Sequence, residues 1–116
     1  MPTKIFSFGY KHRWTATLPS FPKNDVKVID VRDYMLDNPH HVATLRHKTG
    51  LDPEVRVWFK QRPTNDALVK LHDRIGDFAG HVYLGCTGGK HRSVYAATEL
   101  GNLYGCPVEH LDIDKR

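Results

Sequence analysis

The feature that most restricts the fold is the unbroken run from residue 85 to 93, Gly-Cys-Thr-Gly-Gly-Lys-His-Arg-Ser. It follows the short apolar stretch His81-Val82-Tyr83-Leu84 and precedes a segment with helical spacing. A strand that passes through a glycine-rich turn straight into a helix is the junction of an α/β unit, and ligands of such folds collect there. The turn and the helix N-terminus offer free main-chain N–H groups, and the helix adds about half a positive charge. Glycines at 85, 88 and 89 let the backbone approach an anion closely, Lys90 and Arg92 bring charge, and Thr87 and Ser93 bring hydroxyls. Glycines alone would equally serve a tight turn. The Lys-His-Arg-Ser directly behind them favours phosphate.

The rest of the chain supplies alternating elements. Lys4-Ile5-Phe6-Ser7-Phe8, closed by Gly9, reads as a first strand, and a loop through Pro19, Pro22 and Asn24-Asp25 follows. A second strand covers 26–31, and a polar, histidine-rich connector, long enough to suggest function, covers 32–50. Asp52 as N-cap and Pro53 open a helix with Val55, Trp58 and Phe59 on one face, which Pro63 ends. Thr64 is expected to cap a second helix that carries Ala67, Leu68, Leu71, Ile75 and Phe78. The third helix covers 92–104, with Val94, Ala97, Leu100, Leu103 and Tyr104 inward and Gly105 as cap. A last strand is expected over 108–113. The fold class is α/β, a mostly parallel sheet with flanking helices, in one small domain over residues 1–116.

Composition narrows the partners. The formal charge is +4 with pI near 9.2, which favours phosphates, nucleotides or nucleic acid over basic partners. Two cysteines, Cys86 and Cys106, suit a reduced, cytoplasmic setting better than a disulfide framework. No apolar run is long enough to span a membrane, and the N-terminus lacks the apolar core of a signal peptide. The histidines lack ligand spacing for zinc, so neither metal nor cofactor is expected.

The loop is not a nucleotide-binding P-loop. That pattern would place its first glycine at Leu84, and Ser or Thr where His91 stands. It is similar to the signature loop of cysteine-dependent phosphatases: Cys86 as nucleophile, Arg92 as phosphate clamp and Ser93 beside the thiolate. Gly85 occupies the place of the histidine that precedes that cysteine, and the candidate acids Asp30, Asp33 and Asp52 are unmarked. Asp30-Val31-Arg32 is faintly similar to rhodaneses, whose active loop carries Arg where this chain has Thr87.

A longer pattern covers nearly the whole chain. Ser7-Phe8-Gly9-Tyr10-Lys11, Asp30-Val31-Arg32, Asn38-Pro39-His40, Leu45-Arg46, Thr49-Gly50-Leu51-Asp52 and the run from 85 to 95 resemble, in the same order, the C-terminal domain of the RapZ family of bacterial RNase adapter proteins. The resemblance implies a small α/β domain, somewhat like part of the phosphofructokinase fold, that binds small regulatory RNA and a phosphorylated amino sugar without catalysis. It implies a pocket of Lys11, His40, Thr87, Gly88, Gly89, Lys90, His91 and Arg92, with Asp30 and Arg32 nearby. Self-association and delivery of RNA to a ribonuclease are also implied. The family's N-terminal nucleotide-binding domain has no counterpart in these residues, a separate nucleotide-binding chain is one candidate partner, and the basic tail is reduced to Lys115-Arg116. Lys11-His12-Arg13 with Tyr10 and Trp14 would track an RNA backbone or, with nearly equal reason, form a charged loop beside a core tryptophan. His41 and His47 are phosphate contacts or solvated loop residues with equal reason, and Arg46, Lys48, Lys60 and Arg62 are supporting charge.

Overall fold

Two strands buried on both faces organise the molecule. β1 (Lys4–Gly9) and β3 (His81–Cys86) lie side by side at the centre of a four-stranded, wholly parallel sheet. β2 (Val26–Asp30) flanks β3 and β4 (Val108–His110) flanks β1, giving the order β2-β3-β1-β4. The computed structural model describes residues 1–12 and 26–115. The expectations for Pro19, Pro22, Asn24-Asp25, Arg13, Trp14 and Arg116 lie outside them.

The alternation of the strands sorts side chains between two faces. Ile5, Ile29, Val82, Leu84 and Cys86 point toward α1 (Pro53–Lys60), α2 (Thr64–Ile75) and α3 (Arg92–Tyr104). These helices contribute Val55, Phe59, Leu71, Ile75, Ala97 and Leu100 to the same core. On the opposite face Phe6 stacks on Tyr83 with ring centroids 4.4 Å apart, and Phe8 packs edge-on against Tyr10 at 4.8 Å. Gly85 belongs to this packing. A Cβ there would lie 2.5 Å from the Phe8 ring, so the absence of a side chain serves the aromatic cluster rather than an anion.

Several element boundaries differ from the sequence expectation for identifiable reasons. β2 stops at Asp30 because its carboxylate accepts the Arg32 N–H at 3.0 Å and starts a 3-10 turn over Val31–Asp33. Thr64 is the first residue of α2, not its cap. Its hydroxyl donates to the Phe59 carbonyl at 2.6 Å, tying α2 to the end of α1. Asp52 stands before α1, but its carboxylate accepts from the Thr49 N–H at 2.7 Å. Phe78 lies past the end of α2, Leu103 is 63% exposed on the outer side of α3, and β4 ends at His110. Gly105 does close α3 in the left-handed region, at φ 66°. Among the described residues no helix is long and apolar enough to cross a membrane.

The topology provides a place for a ligand. Adjacent strands β1 and β3 lead the chain to opposite edges of the sheet, so a crevice opens beyond their carboxyl ends, where Gly9 and Cys86 are partners.

Candidate functional site

The segment after β1 is held against the loop after β3 by main-chain bonds. The Tyr10 N–H donates to the Cys86 carbonyl at 2.8 Å, and Lys11 to that of Thr87 at 2.9 Å. This carries Lys11 onto the rim of the crevice. Gly89 takes φ 70°, and a Cβ on it would lie 2.6 Å from the Gly9 nitrogen, so the loop lies backbone to backbone on the end of β1. The connector 32–50 builds the facing wall. The Gly50 N–H donates to the Lys90 carbonyl at 2.7 Å, and the Asn38 side chain accepts the His40 N–H at 3.1 Å. The Arg46 Nε–H then donates to the His40 carbonyl at 2.9 Å.

These contacts enclose a cavity of about 610 Å³. Seven of the residues named from the sequence line it: Lys11, His40, Thr87, Gly88, Lys90, His91 and Arg92. Four others do not. Asp30 and Arg32 pair with each other at 2.8 Å, and the Arg32 guanidinium lies 4.6 Å over the Tyr10 ring. Its Nη1 reaches the Thr87 hydroxyl at 3.3 Å, so this pair supports the cavity from behind Thr87. Burial pushes the Asp30 carboxyl up, but its hydrogen bonds from Arg32 outweigh that and hold it below the usual range. Gly89 turns its N–H onto the Cys86 sulfur at 3.3 Å. Ser93 is fully buried, its hydroxyl accepting from Cys86 at 3.1 Å and donating to the Phe8 carbonyl at 3.3 Å. It anchors the loop from beneath.

The lining also includes His12, Asn38, Arg46, His47 and Lys115, none of which the sequence assigned to the pocket itself. From sequence, His12 belongs to an RNA-tracking segment, Asn38 only to a motif, Arg46 to the supporting charge, and His47 is a phosphate contact or a solvated residue with equal reason. Lys115 reaches the cavity because Asp112, fully buried, accepts from its ammonium at 2.7 Å and from the Gly9 N–H at 2.8 Å. In the sequence Asp112 merely precedes the short basic tail; in the fold it directs Lys115. No signal short of the tertiary structure connects positions 9, 112 and 115.

The electrostatics of the cavity are one-sided. Lys11, Arg46, Lys90, Arg92 and Lys115 share it with four histidines, and among the described residues no lining side chain is a carboxylate. Of the N–H groups from Thr87 to Arg92, only that of Gly89 has an acceptor among the described residues. The Arg92 side chain is 8% exposed and gives one hydrogen bond, to the Met35 carbonyl at 3.2 Å. Burial lowers its pKa from the ordinary arginine value. His91 is 6% exposed, and its Nε2 has no hydrogen-bond partner. Burial, then the neighbouring Lys90 and His40, pull His91 below 6.5, against the partial pull of the Lys48 and Leu45 carbonyls. Burial lowers His40 too, with Arg46, His41, His47 and Lys11 adding to the effect.

A pH dependence follows. His91 and His110, the latter also lowered by burial, resist the proton that an unfolded chain accepts near pH 6.5. The unfolded state therefore binds more protons below that value, and the stability these groups hold above it is lost as pH falls. The thermal midpoint without ligand is expected to drop between about pH 7 and about pH 5.5, ahead of carboxylate titration. A flat midpoint across that window would contradict it.

No group of three or more His, Cys, Asp or Glu among the described residues is arranged to hold a metal ion. Comparison with known proteins agrees with the sequence resemblance. The chain is 35% identical to a nucleotide-binding protein of Thermotoga neapolitana, covering 97% of this chain and 42% of that protein. It is 37% identical to one of Brevibacillus brevis, covering 96% and 40%. It is 39% identical to one of Agathobacter rectalis, covering 96% and 41%. The chain thus spans about two-fifths of the length of these curated relatives. The RapZ C-terminal domain matches residues 1–114, nearly the full length, and the chain belongs to that family.

Proposed function

We propose that this domain is a non-catalytic phosphate-recognising module that binds RNA, a phosphorylated amino sugar, or both, in the cavity beyond β1 and β3. One observation carries the reading: five cationic side chains and no carboxylate line the cavity among the described residues. An anion is the ligand that relieves this repulsion. The loop N–H groups without an acceptor would bind it, and the α3 dipole would add to their field. Arg92 offers a two-pronged donor, Lys90 and His91 reach a second oxygen, and Lys11 and His40 close the pocket from the other loops. A ribonuclease, a second copy of the domain or a separate nucleotide-binding chain would be the macromolecular partners in this reading.

The competing reading is a cysteine phosphatase, favoured by the Ser93 hydroxyl and the Gly89 N–H that contact the Cys86 sulfur. Against it, Cys86 is 3% exposed, and among the described residues no lining side chain is a carboxyl group that could protonate a leaving group. Titration with a hexosamine 6-phosphate, the free hexosamine and a labelled structured RNA in one salt series separates the two. The module predicts binding of the phosphorylated sugar but not of the free one, RNA affinity that falls steeply with log salt, and both unchanged in Cys86→Ser. Turnover of an aryl phosphate that vanishes in Cys86→Ser would establish the enzyme instead.

A further inference from the structure

We infer that the cavity holds a ligand carrying two neighbouring phosphate groups, a diphosphate or bisphosphate, more tightly than one carrying a single phosphate. The inference rests on the phosphate reading above and specifies the ligand class of that site.

The argument begins with charge. Lys115 is neutralised by Asp112 at 2.7 Å. Lys11, Arg46, Lys90 and Arg92 line the cavity with no carboxylate partner among the described residues. A phosphate monoester carries roughly −1.5 to −2 at neutral pH and would leave about half of this charge unmatched. A second phosphate group accounts for the remainder.

The arrangement agrees with the charge. Lys90, His91, Arg92 and the loop N–H groups belong to one continuous segment at the start of α3, and together they offer enough donors to occupy the oxygens of one phosphate. Lys11 arrives from the end of β1, and His40 and Arg46 from the connector opposite. Their heads are surplus to a single phosphate held on the loop. His91, nine-tenths buried with an unpartnered Nε2, stands among the lining residues, and His40 is among the groups that lower its pKa. The volume, about 610 Å³, is that of a cleft for a whole small molecule rather than one ion.

The test uses orthophosphate and pyrophosphate, titrated calorimetrically into the full chain at fixed pH and ionic strength. Pyrophosphate is expected to bind about 30-fold more tightly or better. Lys11→Ala and Arg46→Ala, both at exposed positions, are expected to remove most of that preference, weakening pyrophosphate by about tenfold more than orthophosphate. Equal affinity for the two probes would overturn the inference and leave the single-phosphate reading standing. So would a pyrophosphate preference that survives in both variants, or variants that weaken both probes alike. Failure of both probes to bind would overturn the phosphate reading itself.

Discussion

Arg92→Ala is expected to weaken phosphate binding by roughly 10²–10³-fold, about 3–4 kcal/mol, the largest binding loss of any single substitution in the cavity. The side chain is 8% exposed, so its guanidinium acts where water screens little. Its one protein hydrogen bond, to the Met35 carbonyl, holds the group without neutralising it. Arg92→Lys keeps a charge but loses the planar fork, and an intermediate loss of about tenfold or more is expected. The unliganded fold should tolerate the change. Removing a buried cation from beside Arg32 relieves its desolvation and their mutual repulsion, which offsets the lost bond to Met35. Melting curves with and without phosphate separate the two effects. Wild type should rise with added phosphate by mass action, and Arg92→Ala should match it without ligand and not respond. An unchanged phosphate response in Arg92→Ala would refute the central role given to this residue.

What the sequence made readable is what local chemistry encodes. The strand, glycine turn and helix from His81 to Tyr104 are signalled by residues within a few positions of one another, and each stands where expected. The far wall is different. His40 was legible only because Asn38-Pro39 precedes it; the Asn38 side chain does accept its N–H. Arg46 was visible as part of a motif but not as a cavity residue, and Lys115 only as the remnant of a basic tail, because their roles depend on Gly50 docking on Lys90 and on Asp112 reaching Gly9. The helical phase of Ser93 was equally hidden. One residue past Arg92, it turns into the core toward Phe8 while Arg92 lines the cavity. Asp30-Arg32 was found as a motif, but only the fold shows it bracing Thr87 from outside the cavity.

The glycines supply the sharpest separation between folding and binding, since two that look alike in sequence have opposite surroundings. A Cβ on Gly9 would sit 2.5 Å from the Gly88 carbonyl carbon, 2.6 Å from its oxygen and 2.7 Å from the Gly89 nitrogen. All three are backbone atoms, so no side-chain rotation relieves the clash, and the loop must lift from β1. Doing so strains the Gly9 N–H bond to Asp112 and the main-chain bonds of Tyr10 and Lys11. Gly9→Ala is expected to cost about 3 kcal/mol or more, a fall of about 10 °C or more in the thermal midpoint. A Cβ on Gly88 would meet no protein atom within 4 Å, and this residue has no positive φ and a place in the cavity lining. Gly88→Ala should therefore melt within about 2 °C of wild type. Its methyl group would occupy the space where an anion approaches the loop amides, weakening phosphate binding by about tenfold. Melting and phosphate titration of the two variants check both halves. If Gly88→Ala bound phosphate as wild type does, the ligand could not rest on the loop backbone; if Gly9→Ala melted normally, the loop would not be fixed by its contact with β1.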